Sequence, residues 1–81
     1  MDRKDEVLRI FSVKVREIFA RLDIEYEKLQ EIRMRVNAPL ICRYDGKEFY
    51  VSELGTFTGS RQEAFIVDKS ELNETMEYIG N

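Results

Sequence analysis

The chain has no histidine, one cysteine and one proline, carries no excess of basic charge and contains no long apolar run. Without histidine it lacks the side chain most often used for proton transfer near neutral pH, and no serine or cysteine stands next to a plausible base. The carboxylates are spread over helix surfaces, and neighbours such as Asp5 and Glu6 point apart on a helix. Catalysis by this chain alone is therefore not expected. Cys42 has no second thiol to pair with, which excludes an internal disulfide and points to a reducing compartment. A zinc or iron site would have to be built from carboxylates only, so no metal is expected. Thirteen basic residues against sixteen acidic ones give a net charge of −3, which argues against a general polyanion binder and requires any basic site to be local. The opening "MDRKDEVLRIF" mixes charges and has no continuous apolar stretch, so neither a signal peptide nor membrane insertion is expected, and a cytoplasmic location follows.

What is present is globular composition: 43 % apolar and 36 % charged residues in 81, enough for one domain over 1–81 with one sheet and helices on one side. From Asp2 to Leu22 the apolar residues Val7, Leu8, Phe11, Val15, Ile18, Phe19 and Leu22 recur at three- and four-residue steps. That spacing predicts one amphipathic helix lying on the sheet.

In "LQEIRMRVNAPLICRYDGKEFYV", residues 29–51, alternation takes over. Ile32, Met34 and Val36 share one face of a first strand, with Glu31, Arg33 and Arg35 on the other. A second strand runs from Leu40 to Tyr44, and Asp45-Gly46 is suited to a two-residue hairpin turn, because both residues must take positive φ. This turn sets Tyr44 opposite Lys47, Arg43 opposite Glu48, Cys42 opposite Phe49 and Leu40 opposite Val51, with an inner face of Leu40, Cys42, Phe49 and Val51. With Asn37-Ala38-Pro39 as a three-residue connection, Val36 falls opposite Leu40 and Arg33 beside Arg43.

Residues 52–63, "SELGTFTGSRQE", have no period and read as a connection. "GTFTGSR" has neither the spacing nor the lysine of a phosphate-binding G-x-x-x-x-G-K-[ST] loop. "AFIV", residues 64–67, suits a fourth strand, and in "DKSELNETMEYI" Asp68 and Glu71 stand at capping-box spacing ahead of helical steps at Leu72, Met76 and Ile79. The expected fold is α+β: a small antiparallel sheet of three to four strands packed on an N-terminal helix and a C-terminal helix.

The candidate site is the outer sheet face, Arg33, Arg35, Arg43 and Tyr50. One reading is a solvated surface with a cross-strand Arg43–Glu48 pair. The other is a contact face for an anion or an acidic partner, favoured by the mutual repulsion of Arg33 and Arg43 when nothing neutralises them.

The same residues carry a family resemblance. Glu31, Ile32, Arg33, Arg35, Val36, Pro39, Leu40, Gly46 and Leu72 fall where the N-terminal domain of the stage III sporulation protein AA family has a leading helix, Glu-Ile-Arg-Leu-Arg-Val, a Pro-Leu turn, a Gly hairpin and a capped helix; Met34 stands where leucine is usual. That family resembles the ATPases of type II and type IV secretion, with an α/β domain ahead of a P-loop motor. The resemblance implies that residues 1–81 are a non-catalytic regulatory and assembly domain of a larger sporulation ATPase. ATP and magnesium would belong to the parent's motor and no cofactor to this domain.

The implied partners are the protein's own motor domain, neighbouring subunits, bound nucleotide and other stage III sporulation channel proteins. The implied location is the mother-cell side of the forespore channel, peripheral to the membrane through those partners. The alternative is an independent nucleic-acid-binding module that uses the arginines on phosphates and Tyr50 for stacking.

Overall fold

A computed structural model of the chain describes residues 11–69 and the backbone of 76–79. Helix α1 spans Val13–Arg21. It begins where Ser12, in extended conformation, accepts a hydrogen bond from the Val15 N–H through its side chain, the usual way a serine satisfies an orphan donor of the first turn. Of the single helix expected from Asp2 to Leu22, Val13–Arg21 is helical and Ser12 is its cap, and residues 2–10 lie outside the described residues. Val15, Ile18 and Phe19 are the helix's buried stripe.

Among the described residues seven strands follow: β1 (Leu29–Met34), β2 (Ala38–Pro39), β3 (Ile41–Tyr44), β4 (Lys47–Val51), β5 (Phe57–Thr58), β6 (Ile66–Val67) and β7 (Met76–Ile79). Five form an antiparallel sheet in the order β5-β4-β3-β1-β7, and β2 pairs with β6 in a separate two-stranded sheet. The α+β class stands. At 76–79, however, the chain is a strand paired with β1 and not the end of a helix. The expected cap partner Glu71 and Leu72 lie outside the described residues. Of "AFIV", Ile66–Val67 pair with Ala38–Pro39 in the separate sheet, while Ala64 bridges Ser52 at the end of β4 and Phe65 N–H donates to Val51 O at 2.8 Å.

The β3–β4 hairpin has the expected register, with Asp45 at φ 49° and Gly46 at φ 79°. The β1–β3 register differs. Arg33 stands opposite Ile41 and Arg43 opposite Glu31, two residues from the expected alignment. The cause lies in the connection. Ala38 and Pro39 bond to β6, with Asn37 N–H donating to Val67 O at 2.6 Å and Leu40 N–H to Phe65 O at 2.9 Å, so they are not available as a tight loop. Asn37 makes the turn at φ 65° and Val36 sits half-buried in it, so Val36 is not a strand residue opposite Leu40. A shift of two residues preserves the faces, because side chains alternate with a period of two.

The inner face, covered by α1, contributes Leu29, Ile32, Met34, Cys42 and Val51 to a core shared with Val15, Ile18, Phe19, Tyr26, Leu40 and Val67. Phe49, expected in that core, is only half-buried; it stacks on Phe57 with centroids 4.8 Å apart at the β4–β5 edge. Tyr26 is held by its hydroxyl, which donates to Phe19 O at 3.1 Å near the end of α1. Burial raises its pKa to about 12.

Residues 52–63 are more ordered than a plain connection. Ser52 and Thr56 clamp the turn through a 2.7 Å hydroxyl contact and a 2.9 Å backbone bond from Ser52 N–H to Thr56 O. Lys14 pairs with Glu53 at 2.8 Å across to α1. Gly55, at φ 82°, lies so close to the helix that a Cβ would collide with Arg21 Cβ and crowd Ile18 O. With the turn fixed there, the chain can return along β4 as β5.

Candidate functional site: an arginine cleft at the end of the sheet

The outer face is organised in rows across the strands. One row runs Thr58, Tyr50, Ile41 and Arg33; the next runs Glu48, Arg43 and Glu31. A bulge at Gln30 sets these rows. Leu29 pairs with Tyr44 while Glu31 pairs with Arg43, so Leu29 and Ile32 both face inward although they are three apart. The Gln30 side chain accepts from Gly46 N–H at 2.7 Å and ties the bulge to the hairpin turn.

Arg43 thus stands between two carboxylates, Glu31 on β1 and Glu48 on β4. Arg33 is engaged by Glu31, with the guanidinium donating to Oε1 at 2.8 Å. Arg33 and Arg43 are not the directly opposed pair expected: Arg33 stands opposite Ile41, and Arg43 opposite Glu31.

Just beyond β1 the chain carries Arg35, exposed, into the Asn37 turn. Arg61 comes from the one-turn 3-10 helix Arg61–Glu63 that follows β5. Arg33, Arg35 and Arg61 line one open cleft of about 180 Å³ whose remaining wall is Ala38, Pro39 and Ile41. Of the four residues singled out from the sequence, Arg33 and Arg35 meet there, and Arg43 and Tyr50 do not line it. Tyr50 instead borders a smaller depression of about 90 Å³ with Glu48 and Thr58, and Ile41 touches both hollows.

Arg61 escaped the sequence reading because it lies in the unpatterned stretch 52–63. The available signal was that it is the one basic residue there. Cys42 is fully buried, which drives its thiol pKa upward and leaves it inert.

Guanidinium groups around an apolar floor suit an oxyanion carried on a partly apolar group. The cleft is smaller than the roughly 300 to 1,000 Å³ typical of small-molecule pockets. It accommodates a side chain or a single anionic group, not a whole nucleotide. Among the described residues no helix is long and apolar enough to cross a membrane.

A family model described as "Sporulation stage III, protein AA" matches residues 1–81, the whole chain. No curated protein and no solved structure matches it significantly.

Proposed function

The chain belongs to the sporulation stage III protein AA family, and from that premise we propose that it is the non-catalytic docking and assembly domain of a sporulation ATPase. Its partners are the motor domain, a neighbouring subunit or a phosphate of bound nucleotide, met through the arginine cleft. Membership associates the chain with sporulation and with the other stage III proteins. ATP and magnesium act in the parent's motor, and this domain positions partners without chemistry of its own.

The observation that carries the reading is the convergence of Arg33, Arg35 and Arg61 on one cleft from two separate parts of the chain. An anionic group seated there replaces water with charge-assisted hydrogen bonds, roughly twice as strong as neutral ones. A nucleic-acid role is less well supported, because the net charge is −3 and Glu31 and Glu48 flank Arg43 along the path a phosphate backbone would take. The test is to place Arg35→Ala and Arg61→Ala in the full-length parent and follow ATPase rate and assembly state. Loss of either supports a docking face, and unchanged rate and assembly refute it.

A further inference from the structure

We infer that the arginine cleft of one copy receives the acidic segment Asp23–Glu27 of a second copy, in a head-to-tail contact. This rests on the reading of the cleft as a docking face and adds its occupant. The segment precedes β1, and the cleft lies where β1 ends. Six residues of strand, about 20 Å at the usual rise, separate them on one rigid element, so they cannot meet within a copy.

The segment is preorganised. Ile24 and Tyr26 pack inward while Asp23, Glu25 and Glu27 are exposed. Glu25 N–H donates to the Tyr44 hydroxyl at 3.0 Å, and Tyr26 O–H donates to Phe19 O at 3.1 Å. Lys28 O accepts from Asp45 N–H at 3.0 Å. Lys28 holds the Glu25 carboxylate at 3.0 Å, so Asp23 and Glu27 offer the outward charge. Facing them, Arg35 and Arg61 are the exposed cations of the cleft, with Arg33 steadied by Glu31.

Carboxylates held on a fixed ridge lose little freedom on docking, and guanidinium is the group best shaped to receive them. The two surfaces are different patches at opposite ends of β1, so a head-to-tail contact leaves one of each free and can propagate from copy to copy.

A charge swap on this chain tests the contact. Variant one is Arg35→Glu with Arg61→Glu, and variant two is Asp23→Lys with Glu27→Lys; all four positions are exposed. By sedimentation up to millimolar concentration, the native chain should gain mean mass. Each variant alone should associate roughly tenfold or more weakly, since each meets itself with like charges. An equimolar mixture should regain association, because each variant then carries the surface the other lacks, and regain also proves both are folded. A native chain that stays monomeric, variants that associate like it, or a mixture that does not recover overturns the inference. If the copies ignore one another while Arg35→Ala and Arg61→Ala still impair the parent ATPase, the docking face stands and this occupant is wrong. If neither effect appears, the docking face itself falls.

Discussion

Glu31 and Arg33, two residues apart on the outer face of β1, form an ion pair at 2.8 Å, and the same Glu31 stands opposite Arg43 on β3. The carboxylate pairs with Arg33 and occupies the strand position across from Arg43, which sets the two cations apart by role. The Arg33 side chain is one-third exposed, at 34 %, whereas Arg35 and Arg61 are exposed cleft residues. Arg33→Ala should destabilise the domain by about 1 kcal/mol, enough to lower Tm by roughly 4 to 8 °C in a chain of this size. Arg35→Ala and Arg61→Ala should stay within about 0.5 kcal/mol. Urea titrations of the three variants decide it, and equal losses would mean that all three arginines are structural.

Gly55→Ala should cost about 2 kcal/mol or more. The residue sits at φ 82°, where an L side chain is strained, and its Cβ would strike Arg21 Cβ and crowd Ile18 O on α1. The turn would have to lift from the helix, loosening the Lys14–Glu53 pair and the path into β5. Amide exchange at Thr56 and Phe57 should accelerate in this variant. Exchange unchanged from the native chain would show that the turn is not anchored by its fit to α1.

Alkali should unfold the domain in part through Tyr26. Burial raises its pKa from the ordinary 10 to about 12. The phenol's stabilising contribution is complete below its unfolded value and is lost as pH rises from about 10 to about 12. The buried Cys42 thiol, also raised, acts in the same direction. Tyr26→Phe removes a hydrogen bond to Phe19 O and should cost about 1 kcal/mol at neutral pH. The same variant should flatten the decline in stability between pH 10 and pH 12 relative to the native chain, with Cys42 present in both. Parallel declines would assign the alkaline loss elsewhere.

How much of this was legible depends on the range of the interactions involved. Asp45-Gly46 encodes its own turn, because the positive φ values it needs are local, and the β3–β4 register followed directly. The faces of β1 were also legible in the alternation of Ile32 and Met34 with Arg33. The β1–β3 alignment was not, because it depends on Ala38-Pro39 finding β6 some thirty residues on, a non-local pairing that no window around Asn37 contains. The strand at Met76–Ile79 was masked by helical spacing at Leu72, Met76 and Ile79. Period alone cannot arbitrate so short a run, and the open edge of β1 decides it. In the site, Arg33 and Arg35 were visible as a pair. Arg61 reaches them only because the Ser52–Thr56 clamp and Gly55 fold an unpatterned stretch back along β4.

Phe49 and Leu40 separate the rim of the fold from its centre. By alternation both belong to the inner face, and sequence alone would assign them similar penalties. Leu40 is fully buried and its backbone ties β3 to both β4 and Phe65, accepting from Val51 N–H at 3.0 Å and donating to Phe65 O at 2.9 Å. Leu40→Ala therefore leaves a cavity that the backbone cannot close, at roughly 2 to 5 kcal/mol. Phe49 lies half-buried near the short edge strand β5, with its ring nearly parallel to Phe57, 5° between planes, and Phe57 also touching Tyr44 at 5.4 Å. Water can occupy part of the space that Phe49→Ala vacates, so its cost should be nearer 1 to 2 kcal/mol, about that of a partly buried side chain. A double-mutant cycle of Phe49→Leu and Phe57→Leu should return a coupling of about 0.5 to 1.5 kcal/mol, the range for aromatic pairs. Equal penalties for Leu40→Ala and Phe49→Ala, together with zero coupling to Phe57, would place Phe49 in the core under α1 and the β4–β5 edge elsewhere.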